Sequence, residues 1–309
     1  MSASLDFGSL RPMEPVAVTA PFDDPQWLFQ VKWDGIRALA FVRCGNENEG
    51  IRLQSRRGRA MTVQFPEIIG EPILRLPHRG LVDGELIVLD EQGKPNFQRI
   101  LRRERMGLPA VIQASLSSLP AVFMAFDLLE LDDLPLLDRP LVERLTLLQA
   151  HLVVGERVQF VEAVPCDGIA LFQAVQALEL EGMIAKEAAS PYLIGKKHRA
   201  WKKIKHFRRL DCWIIGYCEG ERGRLASLAL AEATEKGLRY IGNVGTGFTE
   251  KEAARWHQVL KAQQTAIPAQ GSPFIPVQKA YPATVRFLEW TGNLQLRHPL
   301  LIEARIPSA

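Results

Sequence analysis

The sequence predicts an α+β protein in two parts, an antiparallel-sheet domain over residues 1–206 and a small β-barrel over residues 207–309. Three observations carry that expectation. Up to His206, short apolar strands alternate with segments of helical period, in an order that favours antiparallel neighbours. After His206 the pattern turns to short strands split by a single helical segment. The 309 residues are long for one compact domain and comfortable for two, and 47% apolar against 24% charged residues leaves material for a real core.

Residues 26–42 (QWLFQVKWDGIRALAFV) read as two short strands broken at Asp34-Gly35, with Trp27, Phe29 and Val31 alternating into the first. Residues 51–55 continue as a strand, and 65–74 read as a short helix. Residues 81–89 read as a strand pair around an Asp83-Gly84 turn signal. A basic helix about Arg99 and a buried strand at 121–129 follow. Residues 137–152 and 168–180 have helical spacing, and 182–186 and 200–205 read as strands flanking a basic loop. In the second part, strands at 212–218, 225–230, 238–244 and 284–290 are split by one helix at 250–263, which fits the size of an OB-fold. The Pro-rich stretch 267–282 reads as a long loop. Gly242, Gly245 and Gly247 read as a barrel hairpin, because no strand–loop–helix unit surrounds them to bind a dinucleotide.

No apolar stretch approaches the ~20 residues that span a bilayer. Residues 1–22 show no basic segment followed by an apolar run, so a cytoplasmic protein without membrane partners is expected. Cys44, Cys166, Cys212 and Cys218 are scattered without zinc-site spacing and read as free thiols. Net charge is only +3. The basic residues nevertheless gather in three clusters: Arg52 to Arg59, Arg99 to Arg105, and Lys196 to Arg209, a distribution that suits phosphate contacts.

Chemistry concentrates in four places. Lys32-Trp33-Asp34-Gly35 sets a lysine at the end of an apolar strand, where desolvation and nearby cations would lower its pKa and leave a nucleophilic fraction. The bland alternative is a surface lysine beside a hairpin turn. Asp83-Gly84-Glu85 and Glu181-Gly182 offer carboxylates of the kind a phosphate-bound divalent ion takes one or two of. In Trp201-Lys202-Lys203-Ile204-Lys205, strand alternation puts Lys203 and Lys205 on one face about 7 Å apart, a fixed positive surface for a phosphate. An edge strand protected by lysines would look the same.

In order along the chain, KWDGIR, SRRGR (55–59), DGE (83–85), AFDLL (125–129), EGMIAK (181–186) and WKKIK (201–205) resemble the motifs of covalent nucleotidyltransferases: DNA ligases, RNA ligases and mRNA-capping enzymes. RYIGNVGTGF (239–248), SPYLIGKKHRAWKKIK (190–205) and RFLEWTGNLQLRHPLL (286–301) resemble the ligase module of bacterial end-joining ligases, and the resemblance spans residues 10–305. It implies an adenylation domain followed by an OB-fold, and an ATP-dependent DNA ligase whose nucleophile is Lys32. By the same resemblance, Arg37 and Arg56 contact nucleotide or nick phosphate, Glu85 the ribose, and Phe126 stacks on adenine. Glu181, with Glu85 and Asp34, belongs to the Mg²⁺ or Mn²⁺ site. Lys203 and Lys205 contact the α-phosphate of ATP, and Arg297 orients the leaving pyrophosphate. Relatives often carry Glu at the position of Gln30, contacting the adenine amine, and an amide oxygen can accept the same bond.

The implied partner is nicked or broken duplex DNA, held mainly through phosphates, with a Ku-like end-binding protein as a candidate partner and a monomer as the expected state. RNA ligase or mRNA-capping guanylyltransferase remains the alternative within the superfamily. A non-catalytic OB-fold nucleic-acid binder is the alternative outside it. His298 reads as structural, and the tail Glu303-Ala304-Arg305 departs from the relatives' ending.

Overall fold

The computed structural model describes residues 5–43, 50–75, 78–265 and 273–305, with the side chain of Arg222 excepted. Cys44 and the start of the 267–282 stretch lie outside them. Contacts divide the chain into two units, Met1–His206 and Phe207–Ala309.

In chain order the first unit runs β1 (Glu14–Val18), β2 (Asp24–Val31), β3 (Ile36–Arg43), β4 (Gly50–Ser55), α1 (Pro66–Ile69), β5 (Arg79–Val88), α2 (Phe97–Glu104) and α3 (Pro109–Ser115). There follow β6 (Ala121–Leu131), β7 (Leu134–Pro135), α4 (Leu141–His151), β8 (Val158–Phe160), β9 (Val164–Cys166), α5 (Gly168–Ala177), β10 (Gly182–Glu187) and β11 (Lys197–Lys205). Two sheets form. One has the order β1-β11-β10-β2-β9; the other has the order β4-β3-β5-β6-β7, with β8 beside β6. Pairing is antiparallel except where β1 meets β11 and β8 meets β6.

The layers follow from which face of each strand is apolar. Ala38, Ala40, Val82, Leu86, Phe123 and Ala125 cover the outer face of the second sheet and pack on α1, α2 and α4 through Ile68, Ile100, Leu141, Leu145 and Leu148. Trp27, Phe29, Met183, Ala185 and Ile204 form the outer face of the first sheet, packed on Leu171 and Phe172 of α5. Between the sheets lies a third cluster, with Leu39, Leu81 and Leu129 on one side and Ala200 and Trp201 on the other. Each such large side chain contributes about 1.5–3 kcal/mol by leaving water.

The strand break expected at Asp34-Gly35 is there, but the hairpin alternative fails: β2 belongs to one sheet and β3 to the other, so the chain changes sheets between them. Gly35 allows the crossing, because a Cβ would stand 2.3 Å from the Leu86 carbonyl oxygen. Asp83-Gly84 makes no turn; it lies inside the continuous strand β5, where a Cβ on Gly84 would meet the Phe123 ring at 2.4 Å. The helix expected at 65–74 shrinks to the four residues of α1 after a 3-10 turn at Thr62–Gln64. In the second unit, the described part of the expected loop, residues 273–282, is largely strand.

That unit comprises β12 (Arg208–Glu219), β13 (Leu225–Thr234), β14 (Gly237–Val244), α6 (Glu250–Lys261), β15 (Ile275–Phe287), β16 (Glu289–Trp290), β17 (Leu296–Arg297) and β18 (Leu300–Ala304). Its sheet has the order β14-β13-β12-β15-β18, with β16-β17 as a separate ribbon. Pro282 fits in β15 because β18 pairs only with Ala283 to Arg286, while Pro276 meets residues 263–265 through its carbonyl, which accepts from Thr265 N–H (3.2 Å). The barrel closes where Leu301 N–H donates to the Thr246 carbonyl (3.0 Å). Gly247 permits that approach: φ is +98° and a Cβ would stand 2.2 Å from the Leu301 carbonyl oxygen. Trp256 and Leu260 of α6 plug the barrel against Ile214, Leu228, Ile241 and Val285. Among the described residues Cys166, Cys212 and Cys218 are free thiols, and no helix is long and apolar enough to cross a membrane.

Candidate active site

Strand register assembles the site. β2, β10 and β11 lie side by side, and pairing places Gln30 opposite Ile184 and Ile184 opposite Lys203. One row below, Leu28, Lys186 and Trp201 align. One row above, Lys32 N–H donates to the Gly182 carbonyl (2.9 Å), and Gly182 pairs with Lys205. Gly182 is obligatory there: its φ is +151°, and a Cβ would meet the Ile204 carbonyl oxygen at 2.1 Å. Three strands therefore bring Lys32, Lys203 and Lys205 to one surface, although more than 170 residues separate the first from the others.

Glu181, just before Gly182, holds this surface together. Its Oε2 accepts from Lys32 Nζ, and its Oε1 lies 3.5 Å from Lys205 Nζ. Burial alone would depress Lys32, but Glu181, Glu85 and Asp34 outweigh it and hold its ammonium above the usual lysine range. The expected depression of the nucleophile is thus reversed in the free protein, because carboxylates crowd closer to Lys32 than cations do. Lys203 behaves as the sequence reading had expected of Lys32: burial, then Lys205 and Lys32, lowers it. Glu85 stands opposite Arg37 on the neighbouring sheet, and burial pushes its carboxyl up to about 8, against the pull of Lys32 and Arg37. Asp34 is 8% exposed, at the crossing between the sheets.

A buried polar layer backs the cleft. Arg37 donates from Nε and Nη2 to Asp83 (2.6 and 2.5 Å) and from Nη2 to the Met13 carbonyl (3.2 Å). Tyr192 donates its hydroxyl to Asp83 (2.6 Å). The Arg37 guanidinium also lies 4.7 Å from the Phe126 ring and 5.6 Å from that of Trp201. In this structure Arg37 is therefore committed to Asp83 and to the aromatic rings. Arg144 makes a second buried fork, to Asp127 at 2.8 and 2.9 Å.

Gln30 is 2% exposed; its Nε2 donates to the Val161 carbonyl (2.9 Å), and its Oε1 has no partner among the described residues. Fixed in that way, the amide keeps one buried acceptor unpaired among the described residues. Arg56 is exposed, in a turn closed by Gly58 N–H to the Ser55 carbonyl (2.9 Å), and comes within 3.8 Å of Glu14. Gly58, with φ +85°, seats this turn on the Gly8 carbonyl. Arg297 belongs to the second unit, where it donates to Glu289 across the β16-β17 ribbon (2.5 Å).

Sequence reasoning missed Asp83, Tyr192 and Lys186 as parts of the site. Asp83 and Lys186 stood inside quoted motifs, and Tyr192 inside SPYLIG, but their partners lie 46 to 109 residues away, beyond any local signal.

Comparison with known proteins places this arrangement. The ATP dependent DNA ligase domain model matches residues 14–205, and the ATP dependent DNA ligase C terminal region matches residues 221–306. The multifunctional non-homologous end joining DNA repair protein LigD of Mycobacterium tuberculosis is 33% identical over 304 residues, 94% of this chain. The chain spans 38% of that protein's length. The solved ligase domain of Mycobacterium tuberculosis LigD is 30% identical, covers 97% of this chain and 96% of its own, and has a TM-score of 0.55. A mycobacterial DNA ligase D solved with ATP is 29% identical, with coverages of 98% and 97% and a TM-score of 0.56. With an adenylation unit and a C-terminal OB unit both matched, the chain belongs to the ATP-dependent DNA ligase family.

Proposed function

We propose that the chain joins strands of duplex DNA at the expense of ATP, with Lys32 as the group that takes the AMP. The observation that carries this is the row Lys32–Gly182–Lys205 with Glu181 beside it, which sets one amine among phosphate-binding cations. Lys32 Nζ, once deprotonated, attacks the α-phosphorus; the P–N bond forms as the bond to pyrophosphate breaks. The AMP then passes to a 5′-phosphate, and a 3′-hydroxyl displaces it. Lys203 and Lys205 oppose the charge that builds on the α-phosphate, and positioning does the remaining work.

The base packs on Phe126, with the exocyclic amine of adenine donating to the unpartnered Gln30 Oε1. A 6-oxo purine would bring a second acceptor to that oxygen. Glu85 receives a ribose hydroxyl, and Arg37 contributes through the ring it supports. Arg56 meets the nick phosphate, and Arg297 the pyrophosphate. Glu181 and Glu85 suit a hard divalent ion, which takes one or two protein carboxylates and completes its shell with phosphate oxygens and water. Mg²⁺ or Mn²⁺ held there would neutralise the carboxylates that keep Lys32 protonated.

The likeness to LigD, a non-homologous end joining DNA repair protein, supports a part in joining double-strand breaks; a Ku-like end-binding partner, a monomeric state and a cytoplasmic location complete the proposal. The test uses α-labelled ATP or GTP with Mg²⁺ and a denaturing gel, then nick sealing by wild type and Lys32→Ala. An adduct with ATP that Lys32→Ala loses, together with sealing, is expected. A GTP-only adduct, or sealing by Lys32→Ala, defeats the proposal.

A further inference from the structure

Lys186 is a buried lysine for which the reaction has no use. It is 2% exposed, on the cleft face of β10, and makes no ion pair among the described residues. Its Nζ donates to the Phe126 backbone carbonyl (3.1 Å) and lies 4.4 Å from the centre of the Phe126 ring and 4.2 Å from that of Trp201. The charged groups around it come from every packed element: Asp127 of β6, Arg37 of β3, Asp83 of β5 and Arg144 of α4. Asp83 and Asp127 are each already forked to an arginine. Lys186 is therefore the surplus cation of the layer, and among the described residues its close partners are one carbonyl and two aromatic rings.

We propose that Lys186 is a positioning residue for the nucleotide base, fixing the Phe126 ring by holding that residue's carbonyl and ring at once. The inference rests on Phe126 being the base platform. A cation against an aromatic ring is attracted by its quadrupole, and the attraction grows when water is excluded, as it is here. The carbonyl bond ties down the backbone of the residue whose ring must present a flat face to the purine. Burial lowers Lys186 to about 7, so that the proton that makes it a cation is lost just above neutrality. Arg37 and Arg144 add to this lowering, while Asp127 and Asp83 oppose it; Tyr192, raised well above its usual value, stays neutral throughout.

The experiment measures formation of the lysyl-adenylate at varied ATP and pH for wild type, Lys186→Met, Lys186→Arg and Phe126→Leu, each checked by thermal melting. With Lys186→Met, the KM for ATP is expected to rise about thirtyfold, the size of a desolvated cation–π contact, with the loss falling on KM rather than kcat. Lys186→Arg should restore part of it. The wild-type KM should rise between pH 7 and 9, and the Lys186→Met KM should stay level. An unchanged KM in folded Lys186→Met overturns the inference. So does a loss that falls on kcat alone, or one that appears only with a lowered melting temperature and that Lys186→Arg fails to relieve. If Phe126→Leu itself leaves the KM for ATP unchanged, the platform assignment has failed, and the inference with it. A Phe126→Leu effect without a Lys186→Met effect removes the Lys186 role alone.

Discussion

Asp83→Ala should unfold the first unit well before the second. Asp83 is fully buried and accepts three hydrogen bonds, two from Arg37 (2.6 and 2.5 Å) and one from the Tyr192 hydroxyl (2.6 Å). Removing the carboxylate leaves the Arg37 guanidinium in the cleft wall with, among the described residues, the Met13 carbonyl at 3.2 Å, the rings of Phe126 and Trp201 and the more distant Glu85. Stranding one member of a buried pair costs about 3–5 kcal/mol, and the orphaned Tyr192 hydroxyl adds to the upper end. At roughly 2–4 °C per kcal/mol for a unit of this size, the melting transition should fall by about 6–20 °C. Calorimetry follows that transition, and the transition of the OB unit should stay in place. The double variant Arg37→Met/Asp83→Leu sharpens the reasoning, because replacing both partners with apolar groups of similar volume removes the uncompensated charge. It should recover much of the loss. If Asp83→Ala costs under about 1 kcal/mol, or if the double variant is as unstable as the sum of the singles, the pair does not behave as a buried charge pair, and the account of the layer behind Phe126 is wrong.

Three further outcomes are expected. Gly182→Ala forces a Cβ to 2.1 Å from the Ile204 carbonyl at a φ of +151°, so β10 must part from β11. Lysyl-adenylate formation should drop about a hundredfold, as a displacement near 1 Å can cost, while DNA binding by gel shift changes little. Leu294 adopts φ +53° in the turn before β17 with its side chain 49% exposed, so Leu294→Asn should raise the OB unit's stability by roughly 0.5–1 kcal/mol in urea titration. Lys186→Met should change the pH dependence of stability. Folded Lys186 is lowered to about 7 from 10.5, so between those values the unfolded chain binds more protons and wild-type stability rises with pH. The advantage of Lys186→Met over wild type should therefore be largest at pH 6.5 and shrink by up to about 1.4 kcal/mol per pH unit toward pH 9.5. A difference that stays flat across that range would show Lys186 to be unperturbed.

What could be read in advance, and what could not, divides along one physical line. Strand period is local, so the common face of Lys203 and Lys205 and the alternation of Trp27, Phe29 and Val31 were visible in the sequence. Partner identity is not local. Asp83-Gly84 has the composition of a turn, and only the Phe123 ring from the next strand explains why a residue without a side chain stands inside β5. Asp34-Gly35 looks like a hairpin for the same reason, yet Gly35 serves to let the chain cross beneath the Leu86 carbonyl from one sheet to the other. That crossing decides the chemistry of Lys32. Had β2 and β3 formed a hairpin in one sheet, the lysine would have sat on a solvated turn with an ordinary ammonium. Because the chain changes sheets, Lys32 carries the register of β10 and β11 on one side and faces Glu85 of β5 on the other. Its protonated resting state and its place beside Lys203 and Lys205 are thus two results of one topological step. A substitution that disturbs the crossing at Gly35 should alter both together, whereas one at Glu181 should release the proton without moving the strand.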